Sequence, residues 1–557
     1  MSLGPSWQKW LWRSPLVVRE LRQAVRTGRT IVVLLILAVL VGLLVVAIAG
    51  AFGMGKSPVN LGPVLFQVFF SLAFFIVLVV GPTMAAVGVA SEKDGRTWEA
   101  LILAGMDGRA VARGKFWTAA TAIIAFLCMI APASLLCILL GGVTVIELGV
   151  AFVLLTLIAM VAVAFGVAVG AWAGSTGSAT LTALGAALLG APAFYFGVGL
   201  GISFLAHATW PEIPSALPVW LPLAYTRAPF DALYVLLLVV LPLTLTSLAL
   251  WFFYELAVLL LAPRSDDRAT GIKRWYLVSL PIVGMMGFIP GLMTRGVGST
   301  TAWIAGLSGL FLFVIFAAFV LAGDALAPSP RVEFRWHRDG ATWLTRVLGP
   351  GLVQTCTLQL VTALTALSAF ALGGAAILSK GVFPGLPPVP AVSLLICAEN
   401  WSAFLLFVVG FLLWSRVRSE SAGAARLLTA MVATVAVAAP WALFVVFAYP
   451  ATKRGLDAMV FAAPSPLYSL AMVRAVEKGE PHLPVTAGLG CSLGWAALGL
   501  TLFAFGARRA TKAIAARRTS EADLAARIAE ELPSMPPVAP SGAGPPETLY
   551  DVGEGLR

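Results

Sequence analysis

The chain has 557 residues, 60% of them hydrophobic and only 11% charged, with a formal net charge of +11. That composition is far from the soluble globular range, leaves no room for a soluble catalytic domain, and marks an all-α polytopic membrane protein. The positive balance reads as a topology signal, and nucleic acid is excluded as a partner on that ground.

Residues 1–29 form an interfacial basic segment with Lys9, Arg13, Arg19, Arg22, Arg26 and Arg29 among Trp7, Trp10 and Trp12. It is too long and too charged for an ordinary cleavable signal and reads as retained. Apolar runs of spanning length follow near 30–53, 62–90, 116–142, 145–173, 179–205 and 234–262, making a first six-helix domain over 30–262. A connector over 263–275 leads to a second six-helix domain over 276–507, with runs near 276–294, 297–325, 351–379, 391–415, 427–450 and 484–507. Residues 508–557 are an alanine-rich helix followed by a proline-rich tail. About 12 transmembrane helices result, because roughly 20 apolar residues cross the hydrocarbon layer. With the N-terminus inside, 29 of the 37 Lys and Arg fall in the inner connections, so both termini are expected in the cytoplasm.

The stretch from Ser91 to Phe116, between the second and third runs, is charged and rich in capping residues. Gly95 breaks the preceding helix, and Trp98, Leu101 and Ile102 then fall at i, i+3 and i+4, one face of a short helix lying on the membrane surface. Asp107 can cap the next helix, which carries Arg109, Arg113 and Lys115 into the third span.

Glu92, Lys93, Gly95, Thr97, Glu99, Leu101, Leu103, Gly114 and Lys115 resemble the cytoplasmic coupling segment of ABC-2 type transporter permeases. Ala104, Gly105 and Met106 stand where that family has a proline. The resemblance implies a membrane subunit of an ABC transporter, an exporter in a bacterial inner membrane, driven by two separate cytoplasmic ABC ATPase subunits. On that reading Glu92, Gly95, Thr97, Trp98, Glu99, Leu101, Gly114 and Lys115 form the ATPase-coupling segment. ATP is then bound by the partner, and this chain holds no cofactor and no catalytic site of its own.

The two sets of six runs look like parallel repeats displaced by about 245 residues. Asp94-Gly95-Arg96-Thr97-Trp98 is echoed by Asp339-Gly340-Ala341-Thr342-Trp343, the small-residue turn at Gly174–Gly177 by Ser419–Gly423, and Pro222-Leu223-Ala224-Tyr225 by Pro466-Leu467-Tyr468. The second loop keeps an apolar face of Trp343, Leu344, Val347 and Leu348. It lacks counterparts of Glu99 and of Gly114-Lys115, so its coupling surface is expected to be degenerate. Proline-rich outer segments, roughly 206–233 and 451–483, suit short half-inserted pieces before each domain's last span.

Several motifs carry no chemistry. Gly50 to Ser57 matches a phosphate-binding loop, but it ends a span on the outer face and is followed by Pro58. The five cysteines and the three histidines, His207, His337 and His482 in separate loops, show no metal-ligand spacing. Gly166, Gly170 and Gly174 form a helix-packing ridge. Charged residues in the spans sit near span ends, Glu147, Asp231, Glu255, Asp324 and Glu399 among them, which argues against proton coupling. An ion-coupled carrier, and a membrane scaffold or enzyme, remain the alternative classes; the substrate is not legible.

Overall fold

A computed structural model describes residues 61–95, 108–213, 222–263, 265–294, 299–379, 391–419, 421–448, 456–477 and 482–531, with scattered positions between 32 and 50. Among these residues there is no strand, and eleven helices are long and apolar enough to cross a bilayer. The protein is an all-α polytopic membrane protein. The eleven correspond to the second through twelfth expected spans; most of the first lies outside the described residues, as does the Gly50–Ser57 loop beyond its first residue.

The first half contains α1 (Leu61–Asp94), α2 (Gly108–Leu139), α3 (Val145–Trp172), α4 (Thr176–Ala193), α5 (Leu200–Thr209), the short α6 (Ala224–Arg227) and α7 (Leu241–Leu261). The second contains α8 (Thr270–Met293), α9 (Ser299–Leu321), α10 (Pro330–Arg338), α11 (Trp343–Leu348), α12 (Leu352–Ser379), α13 (Ala391–Arg418), α14 (Ala422–Leu443), α15 (Ser469–Glu477) and α16 (His482–Glu531). Capping explains several starts. Thr144 and Glu147 form a capping box on α3, and Ser175 and Ser421 cap α4 and α14.

The bounds of α3 and α13 are both 246 residues apart, and α4 and α14 start 246 residues apart. Each of the latter pair carries a proline, Pro192 or Pro440, that removes a backbone donor four residues or fewer before a π-helical turn, Phe194–Gly199 or Phe444–Ala448. A further π turn, Val235–Val240, opens α7. In both halves the fourth span packs on the last, α3 on α7 and α13 on α16. The halves meet through α7 and α8, where Phe252 lies 4.7 Å from Trp275 and the Trp275 indole donates to the Leu248 carbonyl at 2.9 Å.

The glycine ridge on α3 does pack a neighbouring helix, at two of its three positions. A Cβ on Gly166 would lie 2.3 Å from the Pro82 carbonyl oxygen, and one on Gly170 2.4 Å from that of Ala86, so α1 and α3 touch backbone to backbone. Gly174 lies past the end of α3, and its Cβ would meet nothing within 4 Å. In the second half α13 approaches α16 closely, where a Cβ on Gly410 would lie 2.2 Å from the Gly499 carbonyl oxygen, and α8 approaches α9, where one on Gly306 would lie 1.9 Å from that of Gly287.

Boundaries shift where polar groups find partners. The connector 263–275 is shorter than expected, because Asp267 accepts hydrogen bonds from the Ala269 and Thr270 amides and starts α8 at Thr270. His207 and His337 sit on helices α5 and α10, with each Nδ1 at 2.8 Å from a backbone carbonyl, Ile213 and Glu333 respectively. Helix α16 runs unbroken through position 507 to Glu531, so the last span and the alanine-rich helix expected after it are one continuous helix.

Candidate coupling site

Three consecutive residues at the end of α1 each reach a different helix. The Glu92 carboxylate pairs with the Lys115 ammonium of α2 at 2.9 Å, with the two side chains only 10% and 6% exposed. The Lys93 ammonium donates to the Ala171 carbonyl and, at 3.4 Å, to that of Ala173, at the C-terminus of α3. Asp94 accepts from the amide of Thr176 at 2.6 Å and from its hydroxyl, at the N-terminus of α4. Each charge has the sign that the helix end it meets favours, a cation at the C-terminus and an anion at the N-terminus. Gly95 then ends α1, its amide bonded to the Ser91 carbonyl at 3.0 Å.

Of the coupling residues, Glu92, Gly95, Gly114 and Lys115 are therefore gathered at the two stems of the loop. Gly114 is buried next to Lys115 on α2, and its carbonyl accepts from the Thr118 hydroxyl at 2.9 Å. Thr97, Trp98, Glu99 and Leu101 lie outside the described residues. A buried ion pair is a poor source of net stability but costly to break by halves, since the remaining charge has no water to turn to. The stems of segment 96–107 are accordingly held as one unit with α3 and α4.

The second half has an equivalent knot built from different residues, which sequence reasoning missed. Asp324, just past α9, pairs with Lys273 of α8 at 3.1 Å and accepts from the Gly351 amide at 3.1 Å and from the Thr355 hydroxyl of α12. Lys273, 1% exposed, also donates to the Gly349 carbonyl. Arg426 of α14 donates to the Val320 carbonyl at 2.9 Å, completing ties from the end of α9 to three helices. The sequence placed Asp324 at the end of one apolar run and Lys273 in the connector before another, with nothing to join them. The Asp339-Gly340 echo is local: Gly340 has φ +62° and ends the surface helix α10, not a span.

The intervening loop is pinned on both sides. Asp266 holds Arg331 and Arg335 of α10 at 3.4 and 3.5 Å, and Arg518 of α16 reaches Glu333 at 2.7 Å. Of the expected apolar face, Leu348 is buried while Trp343 and Leu344 are exposed.

At the opposite end of the spans, a proline-rich segment rests on the fourth span in each half. Thr226 donates to Glu147 at the start of α3, and the Trp401 indole of α13 donates to the Pro466 carbonyl at 3.1 Å. Glu399 is the ninth residue of α13, about 12 Å along the helix from its N-terminal end, deeper than a span-end residue. Beside it Asn400, 2% exposed, donates to Ser492 of α16 at 2.9 Å, and Ser492 also bonds Glu399. The Asn400 Oδ1 is buried with no hydrogen-bond partner among the described residues. This polar spot inside the second half was not anticipated.

Among the described residues no group of three His, Cys, Asp or Glu could hold a metal ion. A comparison with protein-family models, with curated proteins and with solved structures found no match to this chain.

Proposed function

We propose that this chain is the membrane-spanning permease subunit of an ABC transporter, an exporter driven by two separate cytoplasmic ATPase subunits that bind the ATP. The reading rests on the resemblance of residues 92–115 to an ATPase-coupling segment, and one observation supports it above the others. The acid and base that bracket that segment, Glu92 and Lys115, form a buried ion pair, so a push on residues 96–107 is delivered to α1 and α2 together. The adjoining ties of Lys93 and Asp94 pass it on to α3 and α4.

Affinity purification of the full chain from its native membranes, followed by reconstitution in liposomes with the ATPase that co-purifies, tests the reading. The complex should hydrolyse ATP and the chain alone should not. Glu99→Arg should abolish the association while the chain still reaches the membrane. Hydrolysis by the chain alone, or a complex indifferent to Glu99→Arg, overturns the proposal.

An ion-coupled carrier is the second reading, favoured by Glu399 and Asn400 facing Ser492 within the span. Substrate flux that collapses with a proton or sodium gradient and disappears in Glu399→Gln would select it.

A further inference from the structure

The four helices α1, α3, α4 and α7 enclose a cavity of about 630 Å³. Its wall is apolar, with small and aliphatic side chains such as Val161, Ala187, Gly190, Leu237 and Ala249 beside the rings of Phe165, Phe194 and Phe253, and with π turns 194–199 and 235–240 on two sides. The polar groups that reach it are spoken for: the Tyr225 hydroxyl donates to the Leu238 carbonyl and the Thr246 hydroxyl to that of Pro242 at 2.6 Å. Burial pushes the Tyr225 phenol up to about 12, so it keeps its proton and stays a donor to that carbonyl. Phe194, Val198 and Leu245, which line the cavity, are 40%, 40% and 43% exposed, so it reaches the lipid-facing surface beside α4 and α7.

The second half shows what fills this space when nothing is to be admitted. Helices α3 and α13, and the starts of α4 and α14, are displaced by 246 residues, which sets Ile158 against Phe404, Val161 against Phe407, Phe165 against Phe411 and Gly190 against Ala436; the same count carried to the last spans sets Ala249 against Trp495. Those second-half residues are packed together, with the Trp495 ring 4.5 Å from that of Phe407 and 5.6 Å from that of Phe404. Phe404 and Phe407 are each 4% exposed. The first-half cavity is thus the volume of an aromatic plug that the first half lacks.

We infer that the first-half cavity is a binding site for one acyl chain of a bilayer phospholipid, and that Phe404, Phe407 and Trp495 close the equivalent site in the second half. The inference follows from the chemistry of the wall. Among the described residues no unsatisfied donor or acceptor faces the space, so a polar ligand would lose its hydration without compensation, whereas a hydrocarbon chain gains packing against the wall. The depth and the lipid-facing opening make a phospholipid chain the occupant at hand.

The test transfers the plug. The full chain is reconstituted in nanodiscs of phosphatidylglycerol containing phosphatidylglycerol spin-labelled on its acyl chain, and the motionally restricted, slowly exchanging fraction is counted by electron paramagnetic resonance. Val161→Phe with Ala249→Trp, the residues used at 407 and 495, should remove one restricted chain per protein. Phe407→Val with Trp495→Ala should add one. Gly190→Leu is the second plug should the first fail to fold, because a Cβ at Gly190 meets nothing within 4 Å. Equal restricted fractions in the wild type and in a folded plugged variant overturn the site. A restricted signal from spin-labelled free stearate but not from the labelled phospholipid overturns the assignment of its occupant. The proposal does not depend on the transporter reading, since lipid retention is measured without ATPase or transport.

Discussion

The two halves follow one plan of spans but close it differently. In the first, α3 presses its glycines against α1 and leaves the side toward α4 and α7 lined by Val161, Gly190 and Ala249. In the second, α13 presses Gly410 against Gly499 of α16 and fills the same side with Phe404, Phe407 and Trp495. The ion-pair knots differ likewise. Glu92 meets a base on the helix after its loop, whereas Asp324 meets one on the helix before its own span and takes two further donors. Architecture set by span order therefore tolerates wholesale exchange of the residues that lock it, and the exchange leaves one half tight and the other with space.

The largest expected effects come from the ion pairs. Lys115→Met and Lys273→Met should each destabilise the protein by about 3–5 kcal/mol, read as thermal unfolding in detergent, because each strands a buried carboxylate. The swapped pair Glu92→Lys with Lys115→Glu should recover most of the loss. Asp324→Lys with Lys273→Asp should not, since a lysine at 324 cannot accept from the Gly351 amide or the Thr355 hydroxyl. Recovery in both halves would mean that the knots are equivalent after all.

Filling is the next contrast. Phe407→Ala should cost about 3–5 kcal/mol as a cavity in a packed core. Val161→Ala, already facing open space, should cost far less by the same measurement.

The glycines give a smaller contrast. Gly166→Ala should destabilise by about 1–3 kcal/mol through backbone displacement of α1, and Gly174→Ala should be neutral. Equal effects would show that α1 and α3 are not in contact through that ridge.

The smallest structural effect is expected at Glu99, where reversal to arginine should change stability by less than about 0.5 kcal/mol while abolishing ATPase association. A matching loss of stability would reclassify Glu99 as a packing residue.

The spans were legible because hydrophobic length is a local property, and Gly166 and Gly170 were legible because small residues four apart share a face. The stems of the coupling loop could be named, since Glu92 and Lys115 carried the resemblance, but their pairing could not. Lys273 and Asp324 were read as a connector charge and a span-end acid because pairing between residues 51 apart leaves no local pattern. The depth of Glu399 was missed because it depends on where α13 begins. The plug was missed for another reason: repeats were sought at turns, where landmarks are sharp, while the informative difference lies at Val161 against Phe407 and Ala249 against Trp495, in the apolar interior.

Helix α16 is a single helix of 50 residues, about 75 Å long at helical rise and so longer than the roughly 30 Å hydrocarbon layer. Arg518 lies 36 residues along from His482, so a rocking of roughly 10° about the N-terminal end would carry it sideways by roughly 9 Å. Its bond to Glu333 couples that sweep to α10, and Asp266 couples α10 to the link between the halves. The last helix is therefore built as a pointer, turning a small change of tilt at its N-terminal end into a displacement of the loop that carries α10.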